Sequence, residues 1–162
     1  MRTSPAIALD TVGPGLHRLR ASQTVPAPLA DVFPFFADAA NLESITPPFL
    51  RFRIATALPV AMGAGTLLDY RLRLHGVPIG WHTRISVWQP PRRFVDEQLR
   101  GPYALWRHEH RFTATADGHG THVTDEVVYA HRGGAIANRL LVAPDLERIF
   151  RYRQERLAIA FR

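Results

Sequence analysis

The 162-residue sequence contains no cysteine and no lysine. Without cysteine there can be no disulfide, no thiolate metal ligand and no thiol nucleophile. That fits a reducing compartment, and the cytoplasm is the expected location. Without lysine, all 20 basic side chains are arginine, and against 14 carboxylates they leave a net charge of +6. A basic excess can signal nucleic acid or an anionic membrane. Here the arginines are scattered along the chain, and the complete loss of lysine reads as a coding bias, so no nucleic-acid partner is expected. No apolar run approaches the roughly 18 residues that a membrane span needs. Repeats, low-complexity tracts and linkers are also missing, and the length suits one domain. The P-loop, GxGxxG and GxSxG signatures are absent, which leaves nucleotide hydrolysis, dinucleotide redox chemistry and serine-hydrolase chemistry without local support.

What the sequence does have is a change of period. Residues 1–15, MRTSPAIALDTVGPG, are too short and too interrupted for a signal peptide and are expected to be a flexible leader to a single domain over 16–162. Residues 16–25 read as a first strand, with Leu19, Ala21, Gln23 and Val25 on one face. Pro26 and Pro28 end it. Leu29, Val32, Phe33 and Phe36 then follow at helical spacing, with Pro34 expected to kink the helix. A second short helical piece is predicted over 41–45. From there the period is two. Strands are predicted over 50–54, 68–74, 79–88, 93–100, 103–115 and 121–130, separated by glycine and proline turns. After Gly133-Gly134 the period returns to 3.6. Leu146, Ile149, Phe150, Arg153, Leu157 and Phe161 mark one stripe, and Pro144 is expected to kink or restart the helix. Consecutive strands with short turns argue for an antiparallel sheet. With helices segregated to one face, the class is α+β.

The strand over 103–115 carries the most chemistry. Ala104, Trp106, His108, His110 and Phe112 share a face that should look inward, because the large aromatic groups are on it. The next strand offers Asp125, Val127 and Tyr129 on its inward face, and Asp96 and Gln98 stand on the strand before. His108, His110, Asp125 and Tyr129 therefore form a candidate group with three readings. It can brace the sheet as a satisfied polar network, orient a ligand, or catalyse, with either histidine as general base oriented by Asp125. Two histidines at i and i+2 can also reach one zinc ion, with Asp125 or Asp96 as third ligand. His-x-His arises often by chance, and no metal and no cofactor is assigned from it. Asp96 and Glu97 are adjacent, point to opposite faces and cannot act as a carboxylate pair.

Three segments carry a family resemblance: VPAPLADVFPFFADAANLESITPP, GWHTRISVWQPPRRFVDEQLRGPYALWRHEHRF and GTHVTDEVVYAHRGG. Over residues 16–162 the chain resembles the SRPBCC superfamily, the START or birch-pollen-allergen type. It is most similar to a bacterial subgroup of ligand-binding SRPBCC proteins. The resemblance implies a helix-grip fold: a curved seven-stranded antiparallel sheet around a long C-terminal helix, two short helices after the first strand, and a cavity between sheet and helix. It also implies that Tyr70, Leu72, Trp81, Thr83, Phe94, Gln98, Trp106, Phe112, Val127, Ile149 and Phe150 line a ligand site. Leu42, Ile45 and Phe49 would flank its entrance. One departure is His131-Arg132-Gly133-Gly134, which stands where a proline-bearing link to the last helix is expected. The leading expectation is a non-enzymatic binder of a lipid, polyketide or aromatic metabolite. One alternative is a cyclase or dehydratase acting through the His-Asp-Tyr group. The other is a protein or RNA interaction module using the arginine faces. The oligomeric state stays open between monomer and homodimer.

Overall fold

A computed structural model describes residues 5–162. Eight strands form one antiparallel sheet: β1 (Ala6–Gly13), β2 (Leu16–Val25), β3 (Arg53–Ile54), β4 (Leu67–Leu74), β5 (Val77–Gln89), β6 (Arg93–Arg100), β7 (Leu105–Ala114) and β8 (Thr121–Ala130). Their spatial order is β1-β2-β8-β7-β6-β5-β4-β3. The excursion after β2 is α1 (Leu29–Ala37), which carries Pro34 inside it, and two 3-10 turns over Ala39–Ile45 and Pro48–Leu50. The C-terminal run is α2 (Gly134–Ala137), a π-helical segment Asn138–Val142, and α3 (Ala143–Ala160). Pro144 falls at the junction of the π segment and α3, where the backbone stays helical (Val142 φ −70°, ψ −51°) and the Ala143 N–H reaches back to the Asn138 carbonyl; the chain neither stops nor restarts there. No helix among the described residues is long and apolar enough to cross a membrane.

Two expectations need correction. Residues 6–13, read as loose leader, are the eighth strand, pairing antiparallel with β2 from Ala6 opposite Ser22 to Gly13 opposite Leu16; residues 1–4 of the leader lie outside the described residues. Ile7 and Leu9 are the side chains that pack on the core, so the strand is held by backbone pairing more than by burial, which a hydrophobic pattern cannot reveal. The strand expected over 50–54 shrinks to two residues. Pro48–Leu50 coils into a 3-10 turn, and Arg51 takes a left-handed φ of 45° that extended chain cannot hold.

The sheet curves around α3, and two apolar clusters fill the space. One places Phe33 and Phe36 of α1 against Phe94, Phe112, Ile85 and Leu157. The other joins Leu19, Trp106, Val127 and Tyr129 to Leu146 and Phe150 of α3. Amide side chains clamp the helix to the sheet edge. The Gln154 side chain donates to the carbonyls of Ser22 (3.1 Å) and Ala6 (3.2 Å), and Gln23 donates to the Gln154 carbonyl at 3.2 Å.

A candidate ligand cavity with a polar wall

Between the inner face of the sheet, the 3-10 turns and α3 lies a cavity of about 180 Å³. Tyr70, Leu72, Trp81, Phe94, Trp106, Ile149 and Phe150 line it, as do Leu42 and Ile45. Phe49 does not; it is exposed, with the Arg148 guanidinium 4.5 Å from its ring centre. Thr83, Gln98, Phe112 and Val127 also stand off the cavity. Thr83 is buried and donates to the Glu97 carbonyl at 2.8 Å. Gln98 braces the turn before β7, donating to the Tyr103 carbonyl (2.8 Å) and accepting from its N–H (3.1 Å). A Cβ on Gly101 would meet Gln98 Oε1 at 2.5 Å, so a larger residue there would displace that brace. Phe112 packs edge-on against Phe33 and Phe36 of α1, and Val127 is solid core. An inward-facing position is thus not the same as a cavity-lining one.

Asp38, Asn41 and Thr46 line the cavity from the 3-10 turns, and on the sheet and α3 the charged lining gathers in one place. Strand register sets it: Asp96 lies opposite His108 across β6–β7, and Asp125 lies opposite His110 across β7–β8. Each histidine is therefore flanked by a carboxylate on a different neighbouring strand. His108 Nε2 is 2.8 Å from Asp125 Oδ1, and His110 Nε2 is 2.8 Å from Asp96 Oδ2. The contacts also cross over. His110 Nδ1 is 3.1 Å from the same Asp125 oxygen, too bent for a well-formed hydrogen bond, and His108 Nδ1 is 3.7 Å from Asp96 Oδ2. The two imidazoles overlap with centres 3.7 Å apart, and Phe94 stacks on the far side of His110 at 4.1 Å. From α3, Arg153 reaches in. Its guanidinium is 3.9 Å from Asp125 Oδ1 and 5.3 Å from the centre of the Phe36 ring. Its Nε has no hydrogen-bond partner.

Asp96, His108, His110 and Arg153 line the cavity, whereas Asp125 sits behind the rings. The fourth residue of the expected group, Tyr129, is not there. Its hydroxyl donates to Asn138 Oδ1 at 2.9 Å in the π segment, and its ring packs near His17 and His131. Sequence reasoning overlooked Arg153 as a functional group, although its place on the apolar stripe of the last helix was the available signal.

Electrostatics separate the two histidines. Burial disfavours the charged form of His110, but the flanking Asp125 and Asp96 outweigh it and hold its pKa above the ordinary value. Burial and the neighbouring His110 charge hold His108 below it, against the pull of Asp125 and Asp96. Burial opposes ionisation of both carboxylates. Arg153 and the two histidines nevertheless keep Asp125 well below the usual carboxylate range, and the histidines and Arg153 keep Asp96 below it. The carboxylates, Arg153 and the histidines thus stabilise one another's charges within one buried group. Such a wall can orient a polar substituent of a bound molecule. The ligand atoms of Asp96, His108 and His110, which lie within 4.8 Å of one another, can also hold a metal ion.

A curved antiparallel sheet closed by a long C-terminal helix over a cavity defines the helix-grip class, the SRPBCC superfamily. Within it, the chain belongs to the polyketide cyclase/dehydrase and lipid transport family, whose model matches residues 17–162. No curated protein matches. Among solved structures, the chain is similar to the Zhui aromatase/cyclase from Streptomyces sp. R1128, with 19% identity, 88% of this chain and 92% of that one covered, and a TM-score of 0.69. It is similar to protein Ms6760 from Mycobacterium smegmatis at 16% identity, covering 99% and 97%, with a TM-score of 0.68. It is also similar to Ara h 8.0201 at 16% identity, covering 88% and 98%, with a TM-score of 0.60. At these identities the likeness is one of fold.

Proposed function

We propose that this protein binds a small, largely apolar molecule in the cavity between sheet and C-terminal helix, with a polar substituent set against Asp96, His110 and Arg153. The observation that carries this reading is the segregation of the lining. Leu68, Leu72, Trp81, Trp106, Ile149 and Phe150 give apolar walls, and Asp96, His108, His110 and Arg153 form one polar cluster among them, apart from Asp38, Asn41 and Thr46 at the 3-10 turns. That is the usual composition of a small-molecule site, where apolar contact gives affinity and a few polar groups give orientation. A cavity of about 180 Å³ is modest. An engineered apolar cavity of about 150 Å³ takes benzene, so the enclosed part of the ligand is one or two rings or a short aliphatic segment. Native mass spectrometry of the purified protein, followed by solvent extraction, tests this. An apolar adduct that disappears in Ile149→Trp, which fills the cavity, is the expected result. Failure of small aromatic and aliphatic probes to bind the wild type, or undiminished binding by Ile149→Trp, would overturn it.

A second reading is favoured by one specific observation: two histidines stand at the cavity wall, each beside a carboxylate. That is the arrangement a cyclase or dehydratase acting on the bound molecule would need for general acid–base chemistry. Under this reading His110→Ala abolishes turnover of the extracted molecule and leaves its affinity nearly intact. Parallel loss of both leaves binding alone.

A further inference from the structure

We propose that Asp96, His108 and His110 form a three-ligand site for a divalent transition-metal ion, with zinc as its probe, at the polar wall of the cavity. This goes beyond the ligand reading and does not depend on it.

The placement of the ring nitrogens carries the inference. Both imidazoles direct one nitrogen to the rear, toward a single oxygen of Asp125: His108 Nε2 at 2.8 Å and His110 Nδ1 at 3.1 Å. Their other nitrogens, His108 Nδ1 and His110 Nε2, face Asp96 Oδ2 at 3.7 and 2.8 Å. A histidine that ligates a metal ordinarily gives its remaining N–H to a carboxylate, which fixes the tautomer and leaves the front lone pair free. Here Asp125 stands behind both rings, hydrogen-bonded to His108 and within 3.1 Å of His110 Nδ1, where a small rotation would form the second bond. The front nitrogens then converge on a second carboxylate, so two nitrogens and one oxygen surround one point. The only ordinary hydrogen bond across that space is the one between His110 and Asp96.

The spacing fits. Metal–nitrogen and metal–oxygen bonds of about 2.1 Å in a tetrahedral site separate neighbouring ligand atoms by roughly 3.4 Å. The two front distances, 2.8 and 3.7 Å, bracket that value, and the three ligand atoms all lie within 4.8 Å of one another. The three residues stand on two paired strands rather than on loops, and Phe94 against His110 restricts the ring. The donor set selects the ion. Two imidazoles and one carboxylate suit zinc or iron(II), whereas magnesium and calcium prefer oxygen ligands throughout. Charge also fits, since Asp96 and Asp125 together exceed the single arginine beside them. Three protein ligands leave a coordination position open toward the cavity, where a polar substituent of a bound molecule would meet the ion.

Zinc titration of chelator-treated protein against a chromophoric competitor tests this, with cobalt(II) absorption as a second readout. The expected result is one zinc per chain, and visible cobalt bands of four- or five-coordinate intensity. Asp96→Asn and His108→Ala each weaken zinc at least about 100-fold. Asp125→Asn, which leaves every ligand in place, weakens it by about 10- to 100-fold. Asp96→Asn is near-isosteric and keeps the test open if His108→Ala does not fold; circular dichroism checks both. His82→Ala removes an exposed histidine paired with Asp69 and is expected to change nothing. Absence of stoichiometric zinc binding at micromolar concentration, or binding indifferent to Asp96→Asn, would overturn the site. Zinc binding without any apolar adduct would sink only the ligand reading, and an apolar adduct without zinc binding only this one.

Discussion

The inner wall of the sheet carries buried histidines at two places, and their surroundings differ completely. His108 and His110 are 6% and 4% exposed, and His17, on β2, is 7% exposed. All three face inward. His108 and His110 each have one cross-strand neighbour that brings a carboxylate, Asp96 and Asp125, and one that is apolar, Val127 and Phe94. At His17 the neighbours are uncharged or basic: Tyr129 directly across β2–β8, Thr11 Oγ1 at 3.3 Å, Asn138 Nδ2 at 3.4 Å and the His131 ring stacked at 5.6 Å. Burial, reinforced by His131, holds His17 below its ordinary value and so favours the neutral form. Among the three, only His110 is pushed toward its charged form; His108, beside the same carboxylates, is held toward the neutral form as His17 is. The register supplies the carboxylates, and burial together with the neighbouring histidine charge decides which ring they hold protonated.

Four measurements would sharpen or break that contrast. The largest effect belongs to Asp125→Ala, which strands Arg153 and both imidazoles without their shared carboxylate. Removing one partner of a buried ionic group costs about 3–5 kcal/mol, so denaturant melts of chelator-treated protein should show a loss of that order. A smaller loss, about 2 kcal/mol, is expected for Arg153→Met. Arg151→Met, two residues earlier on the exposed face and paired with Glu147, should cost no more than about 0.5 kcal/mol. Equal costs for the two arginines would mean that Arg153 is not part of the polar wall. Tyr129→Phe should cost about 1 kcal/mol through the lost bond to Asn138. The ring resonances of His108 and His110 should stay in place in its NMR spectrum. A large shift there would return Tyr129 to the histidine group.

The smallest effect is one of slope. The folded pKa of His17 lies below the unfolded value of 6.5, so the unfolded chain binds more protons as pH falls through that value. Stability is then lost on acidification, beginning near 6.5 and continuing down to the depressed folded value. His17→Gln should flatten that part of the wild-type decline between about pH 7.5 and about pH 5.5, read from urea midpoints. An unchanged slope would show that His17 is not held neutral.

The period of two from β4 to β8 was legible because large aromatic side chains fall on alternate positions. That alone put His108, His110 and Asp125 on a common inward face. Which residues stand opposite one another depends on register, and adjacent strands can slip by two without altering the pattern. The pairing of Asp96 with His108 was therefore out of reach, although Asp96 was a candidate. Tyr129 failed for a related reason: it shares the inward face of β8 with Asp125 but lies four residues farther along, over the π segment. Arg153 stood on the apolar stripe of the helix, and the pattern absorbed it as one more spacing match. Thr83, Gln98, Phe112 and Val127 show the limit on the cavity side. Alternation tells which side of a sheet a residue faces, whereas whether it meets open space depends on where α1 and α3 cover the sheet.

The two borders of the sheet are finished differently, with consequences for anyone trimming the chain. At one border β3 is only two residues long and offers almost no backbone for another strand to join. At the other, the border strand is β1, eight residues long, which covers the ten-residue β2. A shortened version beginning at Leu16 would retain the whole span matched by the family model. It would also move the open border of the sheet from β1 to the longer β2 and remove the Ile7 and Leu9 side chains that shield the core there. Such a version is expected to self-associate in proportion to its concentration, and to lose the carbonyl of Ala6 that one amide of the C-terminal helix holds.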